Sequence, residues 1–337
     1  MALNEIKTIT MKMTSNTQGD GLFLNRLLSY LKSQFPFKIN KIGQIRKNVF
    51  IITSDSDHFI LKGFPSYHRL KLQETYTASL KKEGFQYTYL FYEFAKNPPL
   101  YFEQNYYGCL EYIPPSQKTF SYDNFPDRCD GLKLLEQYHT TTKLITNRYR
   151  SNLGHFKLLE KWRERSARFL NNVSIIKFFV QKEMIDELMT WADWALKGLE
   201  KEKVTLDNVP PVILHGDVAH HNFMRSEDGQ LYLIDFDLIS IGHERADYLQ
   251  YANRILPFLD WSIEKLAQHE KLKPYLNDKI FLYSLAFPTD IFREWNRLIR
   301  NRQFMNSNKV RNVLDLTVGQ FKERQNFYHE LKSLVND

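Results

Sequence analysis

The stretch "ILHGDVAHHNF", Ile213 to Phe223, sets His215, Asp217, His220, His221 and Asn222 directly behind an apolar run. Thirteen residues after Asn222, a second acid, Asp235, ends another apolar run in "LYLIDFD". Each run reads as a short buried strand. A carboxylate that ends a buried strand needs a compensating charge or donor. The fold must therefore bring two strand-end acids and their partners to defined positions. Taken alone, the first stretch fits a metal cluster, a phosphoryl-transfer loop or a polar surface loop.

The rest of the chain narrows the class. With 337 residues, 43% of them hydrophobic and 15% aromatic, it can build a sizeable core, and its length suits two domains or lobes. No apolar run approaches the roughly 18 residues of a membrane span, so no membrane-spanning segment is expected. The opening "MALNEIKTITMKMTSNTQGDG" has no signal-peptide core, and the expected location is cytoplasmic. Cys109 and Cys129 are too few for a disulfide scaffold and lack zinc spacing; they read as ordinary thiols. The net charge of +7 suits anionic ligands such as nucleotides or phosphorylated metabolites. No nucleic-acid motif accompanies it, and nucleic acid is not an expected partner.

Local patterns run in a clear order. "GLFLNRLLSYLKSQF", Gly21 to Phe35, has leucines at helical spacing and stops at Pro36. "KNVFIITSD" and "HFILKGF" read as a hairpin across "SDSD". "YHRLKLQETYTASLKKEGF" reads as a helix closed by Gly84, and "YLFYEF" and "YYGCLEYI" as strands. Pro114 and Pro115 then break the chain. From Leu132 onward, helix follows helix, interrupted by strand-like runs in "PPVILHGD" and "QLYLIDFD". The aromatic-rich "WADWALKGL" reads as core rather than a ligand cage. The expected class is α+β: a small β-rich lobe over 1–113 and a larger helical lobe over 114–337.

The spacing His-x-Asp-x-x-x-x-Asn, here His215, Asp217 and Asn222, followed by Asp235 on the next strand, is the order used by phosphoryl-transfer sites. That chemistry asks the protein for positioning and charge neutralisation. One carboxylate faces the attacking hydroxyl, while hard oxygen ligands face a magnesium ion.

On these motifs the chain resembles the aminoglycoside phosphotransferase and choline kinase-like superfamily, which has a protein-kinase-like fold of two lobes with the nucleotide between them. The resemblance extends upstream to Lys62 in "HFILKGF", Glu74 in the next helix and the hinge-like "CLEYIPP". It implies an ATP- and Mg²⁺-dependent transfer to a hydroxyl of a small molecule. Asp217 is then the catalytic base. Lys62 contacts phosphate and pairs with Glu74. Backbone from Glu111 to Ile113 faces adenine, and Asn222 and Asp235 hold the metal. His215 braces the loop.

Departures from the family pattern shape the substrate reading. The phosphate-covering turn "GQIRKNVF" has Gly43 alone, leaving Arg46, Lys47 and Asn48 as candidates to contact phosphate. Asp237 stands where protein kinases have glycine, and either binds metal or braces the loop. "HGD" lacks the arginine of protein kinases, and no Ala-Pro-Glu segment follows. These differences favour small-molecule acceptors. Basic "REWNRLIRNRQF" and "NKVRNV" point to a neutral or anionic acceptor rather than a polycation. Arg245 and Asp247 read as a structural pair. His220 and His221 are adjacent, so their side chains diverge in extended backbone; zinc is disfavoured, and the substrate entrance is the alternative. Two rival readings remain: a non-catalytic or structural kinase-fold protein, such as the superfamily's spore-coat-associated branch, and a metal-dependent phosphohydrolase. The second leaves Lys62, Glu74 and the hinge unexplained.

Overall fold

The computed structural model describes residues 18–55, 57–92, 99–202 and 210–336. Residues 1–17, read above for a leader, and Ser56 of the expected turn lie outside these. The chain divides into two compact units. One runs up to Lys118 and includes Arg225–Asp237; the other comprises Thr119–Met224 and Leu238 onward.

The first unit is built on an antiparallel sheet. After α1 (Gln18–Gln34) come β1 (Ile39–Arg46), β2 (Val49–Ser54) and β3 (His58–Phe64), then α2 (Tyr67–Lys82), β4 (Phe91–Tyr92), β5 (Leu100–Phe102) and β6 (Asn105–Glu111). The sheet order is β1-β2-β3-β6-β4, with β5 also on β6. Phe50 and Ile52 alternate inward on β2, as period-two patterning demands. They meet Leu27 and Leu31 of α1, one helical turn apart, with Phe59 and Leu61 of β3 completing the core. α2 starts at Ser66, whose side chain accepts the Arg69 N–H, and ends at Glu83 before left-handed Gly84. Of the expected strand "YLFYEF", only Phe91 and Tyr92 are strand, and Glu93 and Phe94 lie outside the described residues.

The second unit is mostly helical: α3 (Phe125–Tyr149), α4 (Leu158–Ile176), α5 (Lys182–Lys201), then, after two short strands, α6 (Arg245–Ile255), α7 (Ile263–Ala267), α8 (Lys279–Ala286), α9 (Thr289–Arg300), α10 (Ser307–Val318) and α11 (Phe321–Asn336). α3 begins at Phe125, ahead of the expected Leu132, because Asn124 caps it and Pro126 is tolerated in the first turn. The strands β7 (Val212–Leu214) and β10 (Ser240–Gly242) pair antiparallel; β8 (Phe223–Arg225) and β9 (Leu231–Leu233) lie between them in sequence. Trp191 of "WADWALKGL" is buried and stacks on Phe321 and Tyr328, as core. Among the described residues, no helix is long and apolar enough to cross a membrane.

α5 and α8 approach closely where α5 has glycine. A Cβ added at Gly198 would lie 2.1 Å from ring carbons of Tyr283. Alanine is the better helix former by about 1 kcal/mol, so only the ring opposes it. We expect Gly198→Ala to lower stability by about 1–3 kcal/mol through overpacking, seen as a lower urea midpoint at unchanged slope. An unchanged or higher midpoint would mean that the ring yields freely.

Candidate functional site

In the first unit, the site is organised around a buried lysine. Lys62 points from β3, 6% exposed. Its Nζ donates to Asp235 Oδ1 at 2.9 Å, to Asp237 Oδ1 at 2.8 Å and, more loosely, to Gln73 Oε1 at 3.4 Å. Asp237 Oδ1 also accepts from Gln73 Nε2 at 2.5 Å. Lys62, Gln73 and Asp237 therefore form a closed triangle, with Asp235 on the lysine's remaining reach. Asp237 braces the lysine.

Asp235 is held from a second direction, since Arg46 at the end of β1 donates to its Oδ2 at 2.6 Å. Its backbone has φ +71°, a conformation costing about 1–3 kcal/mol for a residue with a side chain. Burial alone would raise its pKa. Lys62 and then Arg46 outweigh that effect and hold the carboxyl well below its usual range. Phe236 is buried against Tyr76 of α2 and Tyr89, so Asp235 and Asp237 flank an anchored ring.

The expected Lys62–Glu74 pair is not formed. Glu74 bonds instead to Lys71 at 2.7 Å. The reason is helical phase. The buried face of α2 carries Leu70, Gln73, Tyr76, Thr77 and Leu80, and Glu74 lies about 100° around the helix from Gln73. The residue facing the lysine is a neutral amide. Sequence reasoning missed Gln73, although the phase of Leu70, Thr77 and Leu80 carries the signal.

Asn48 sits at the tip of the β1–β2 hairpin with φ +59°, which asparagine tolerates. Its carbonyl accepts the Gly63 N–H at 2.7 Å, tying the tip beside Lys62. At the hinge-like stretch, the Glu111 carboxylate accepts from Leu90 N–H at 3.1 Å and from Lys81 at 3.3 Å. The Glu111 N–H is taken by the Leu90 carbonyl at 2.8 Å, which withdraws that donor from any ligand. Ile113 is buried. The following residues are stitched to Arg225–Glu227: Ser116 donates to Arg225 O, and Glu227 to Pro114 O.

In the second unit, a fully buried carboxylate organises the loop after β7. Asp247 Oδ2 accepts the His215 N–H at 2.7 Å, and Oδ1 the Gly216 N–H at 3.0 Å. His139 Nε2 lies 3.0 Å from Oδ2. Burial would raise the Asp247 pKa, but the His139 bond, the histidine charges and the Gly216 N–H reverse it and depress the pKa. Gly216 has φ +79°, and a Cβ there would meet the Leu238 carbonyl oxygen at 2.3 Å, so the turn requires glycine. The expected Arg245–Asp247 pair is not made: Arg245 pairs with Asp278 at 2.7 Å. The two residues stand two apart on α6, and such neighbours do not share a helix face.

The loop delivers Asp217 and Asn222. Asp217 N–H points to His215 Nδ1 at 3.3 Å, and His215 is fully buried. Asp217 Oδ1 accepts from Arg254 of α6 at 3.1 Å. Asn222 Nδ2 donates to the Asp217 carbonyl at 2.8 Å, which leaves its Oδ1 buried with no hydrogen-bond partner. An orphaned buried amide oxygen is costly in a folded chain. It is also a hard ligand of the kind a small divalent cation takes. In the first unit, the Asp235 carboxylate is a ligand of the same hard-oxygen kind. His220 and His221 are exposed, with ring centroids 5.4 Å apart. Among the described residues, no group of three or more His, Cys, Asp or Glu could hold a metal ion.

Comparison with known proteins gives the following. A family model described as Phosphotransferase enzyme family matches residues 129–267. Among curated proteins, none matches this sequence. The fold is similar to an aminoglycoside phosphotransferase from Alicyclobacillus acidocaldarius, at 17% identity and TM-score 0.68, covering 90% of this chain and 95% of that one. It is also similar to a spectinomycin phosphotransferase in complex with ADP and spectinomycin, at 16% identity and TM-score 0.59, covering 92% and 98%. The AMP-bound complex of a spectinomycin phosphotransferase gives 16% identity and TM-score 0.62, covering 89% and 94%.

The lysine network makes a specific demand. Gln73→Glu would set a third carboxylate around one ammonium and repel Asp237. We expect it to lower stability, and Asp237→Asn in that background to recover part of the loss. The double-mutant cycle in urea should show a favourable coupling of about 0.5–3 kcal/mol. Additive effects would mean that Gln73 and Asp237 do not act on one lysine.

Proposed function

We propose that this chain, which has the protein-kinase-like fold of the aminoglycoside phosphotransferase and choline kinase-like superfamily, transfers the terminal phosphoryl group of ATP to a hydroxyl of a small molecule. The observation that carries the reading is the buried Lys62 held 2.9 Å from Asp235. An acid after a short apolar strand and a lysine from a hairpin strand, joined across 173 residues of sequence, are the two groups that phosphoryl transfer asks to be fixed together. The ADP- and AMP-bound neighbours support nucleotide binding.

The roles follow from the partners each group already has. Lys62 reaches the inner phosphates, and Asp237 with Gln73 keeps its ammonium in place while Asp235 turns to the metal. Asp235 and the orphaned Asn222 oxygen are the magnesium ligands. When bound, the ion supplies charge neutralisation on the transferring phosphate. Asp217 is the base. Arg254 fixes one of its carboxylate oxygens, leaving the other for the acceptor hydroxyl. Backbone near Ile113 receives adenine, and Asn48 and its neighbours cover the phosphates.

Two linked measurements test this. Mg-ATP should stabilise the wild type by roughly 2.7 kcal/mol at a hundredfold excess over Kd, raising the melting temperature, and Asp235→Ala should remove the metal-dependent part. Asp217→Asn should keep that stabilisation while phosphoryl transfer falls by about 10² to 10⁴. No response to any nucleoside triphosphate would favour a structural role. Equal loss of binding and transfer in Asp217→Asn would assign that residue to the nucleotide instead.

A further inference from the structure

The surroundings of Asp217 carry a charge pattern that the phosphotransferase reading does not use. α4 packs on α9 through Phe169 stacked on Phe292 at 4.0 Å, and on the residue that ends α8 through Trp162 stacked on Phe287 at 4.3 Å. Polar ties add to this. Asn172 bonds to Asn296 at 2.9 Å, and Asn296 donates to the Arg165 carbonyl at 2.9 Å. Lys161, Arg165 and Arg168 recur at i, i+4 and i+7 on α4; Arg293, Arg297 and Arg300 do the same on α9. The packing thus brings Arg293 of α9 to act on Lys161 and Arg165 of α4.

The local acids neutralise only part of this. Glu164 takes Arg168. Glu294 is shared between Arg293 and Arg297. Asp290 is taken by Arg324. Arg165 donates to the carbonyl and hydroxyl of Thr289 rather than to a carboxylate. Among the described residues, Lys161 has the Phe156 ring at 5.5 Å but no ion pair within 4 Å. Lys161 is exposed as a residue. Its ammonium is nonetheless partly desolvated and then crowded by Arg165 and Arg293, which together lower its pKa; Asp217 opposes them. Arg165 is pushed down to about 10, by burial first and Arg293 second, and stays charged at neutral pH. Three cations thus repel one another, with Lys161 within electrostatic reach of the candidate base, and a fourth, Arg254, is already bonded to that base. Mutual repulsion of this kind is relieved by an anion.

We propose that the acceptor is a hydroxylated small molecule carrying an anionic group, phosphate or carboxylate, which sits on Lys161, Arg165 and Arg293 while its hydroxyl faces Asp217. The proposal rests on the phosphotransferase reading for the role of Asp217. The anion neutralises the cluster and fixes the acceptor's orientation. A polycationic acceptor would add to the repulsion. Arg293 meets the anion by sharing its guanidinium with Glu294, and Arg165 by the donors that Thr289 leaves.

Matched compounds test it by calorimetry: glucose, glucose 6-phosphate and gluconate; glycerol, glycerol 3-phosphate and glycerate; and kanamycin as the polycation. Wild type should bind an anionic member at least about tenfold more tightly than its neutral partner, the scale of a charge-assisted contact. The Lys161→Gln/Arg293→Gln double variant should lose that preference, and Lys271→Gln, remote in sequence and paired with Glu136, should keep it. Preference for the phosphate or the carboxylate member identifies the group. Failure of every anion to bind at millimolar concentration, binding unchanged in the double variant, or tighter binding of kanamycin would each overturn the proposal. The Mg-ATP response of the same variants separates the two readings. If it persists while the anions fail, only the acceptor class is wrong. If it is absent while the anions bind at Lys161 and Arg293, the anion site stands and the phosphotransferase reading falls.

Discussion

A single ammonium, that of Lys62, holds the first unit's functional elements to one another. Burying an unpaired ammonium would cost several kcal/mol, and so would burying Asp235 alone. Together they offset each other at 2.9 Å. The pair draws in α2 through Gln73 and the β1 tip through Arg46. It also stabilises the left-handed backbone of Asp235, which nothing local would favour. Such a pair contributes little net stability over an apolar core. What it provides is a lysine and a carboxylate at fixed positions, which is what a phosphate and a cation need.

The second unit uses the same device with different partners. Asp247 is buried as an anion, satisfied by two backbone N–H groups and a histidine. Its work is to hold the turn at His215 and Gly216, so that Asp217 and Asn222 are presented from a braced loop. Tyr122 reinforces it, donating to the Val218 carbonyl at 2.6 Å, as does Gln250 on the Gly216 carbonyl at 3.0 Å. In each unit one carboxylate is spent on positioning, Asp237 on Lys62 and Asp247 on the turn at His215 and Gly216. The Asn222 oxygen is left without a partner in this network, as is His139 Nδ1.

Much of this was legible in the sequence, because it is local. The spacing from His215 to Asn222, the apolar runs before Asp217 and Asp235, and the strand carrying Lys62 all survive in three dimensions. What was not legible depends on phase and on distant pairing. Glu74 has the expected chemistry for the lysine partner, but a one-residue offset turns it away and puts Gln73 there. Asp237 could be read only as metal ligand or brace until Lys62 and Gln73 were found on it. Arg46 and Asp235 are 189 residues apart, and no pattern in either segment announces the bond. The packing of Arg225–Asp237 with the first unit is hidden for the same reason. Arg245 and Asp247 sit close in sequence and still choose other partners, because the helix turns them to different faces.

The central proposal is that Asn222 and Asp235 are each ligands of the divalent cation that binds with the nucleotide. Electron paramagnetic resonance of Mn²⁺ titrated into the protein with ADP tests it directly. The account predicts nucleotide-dependent Mn²⁺ binding in the wild type that weakens by at least about tenfold in both Asn222→Ala and Asp235→Ala, the cost that even loss of an outer-shell partner brings. Undiminished Mn²⁺ binding in Asn222→Ala would contradict it, because the buried oxygen would then have no ion to satisfy it.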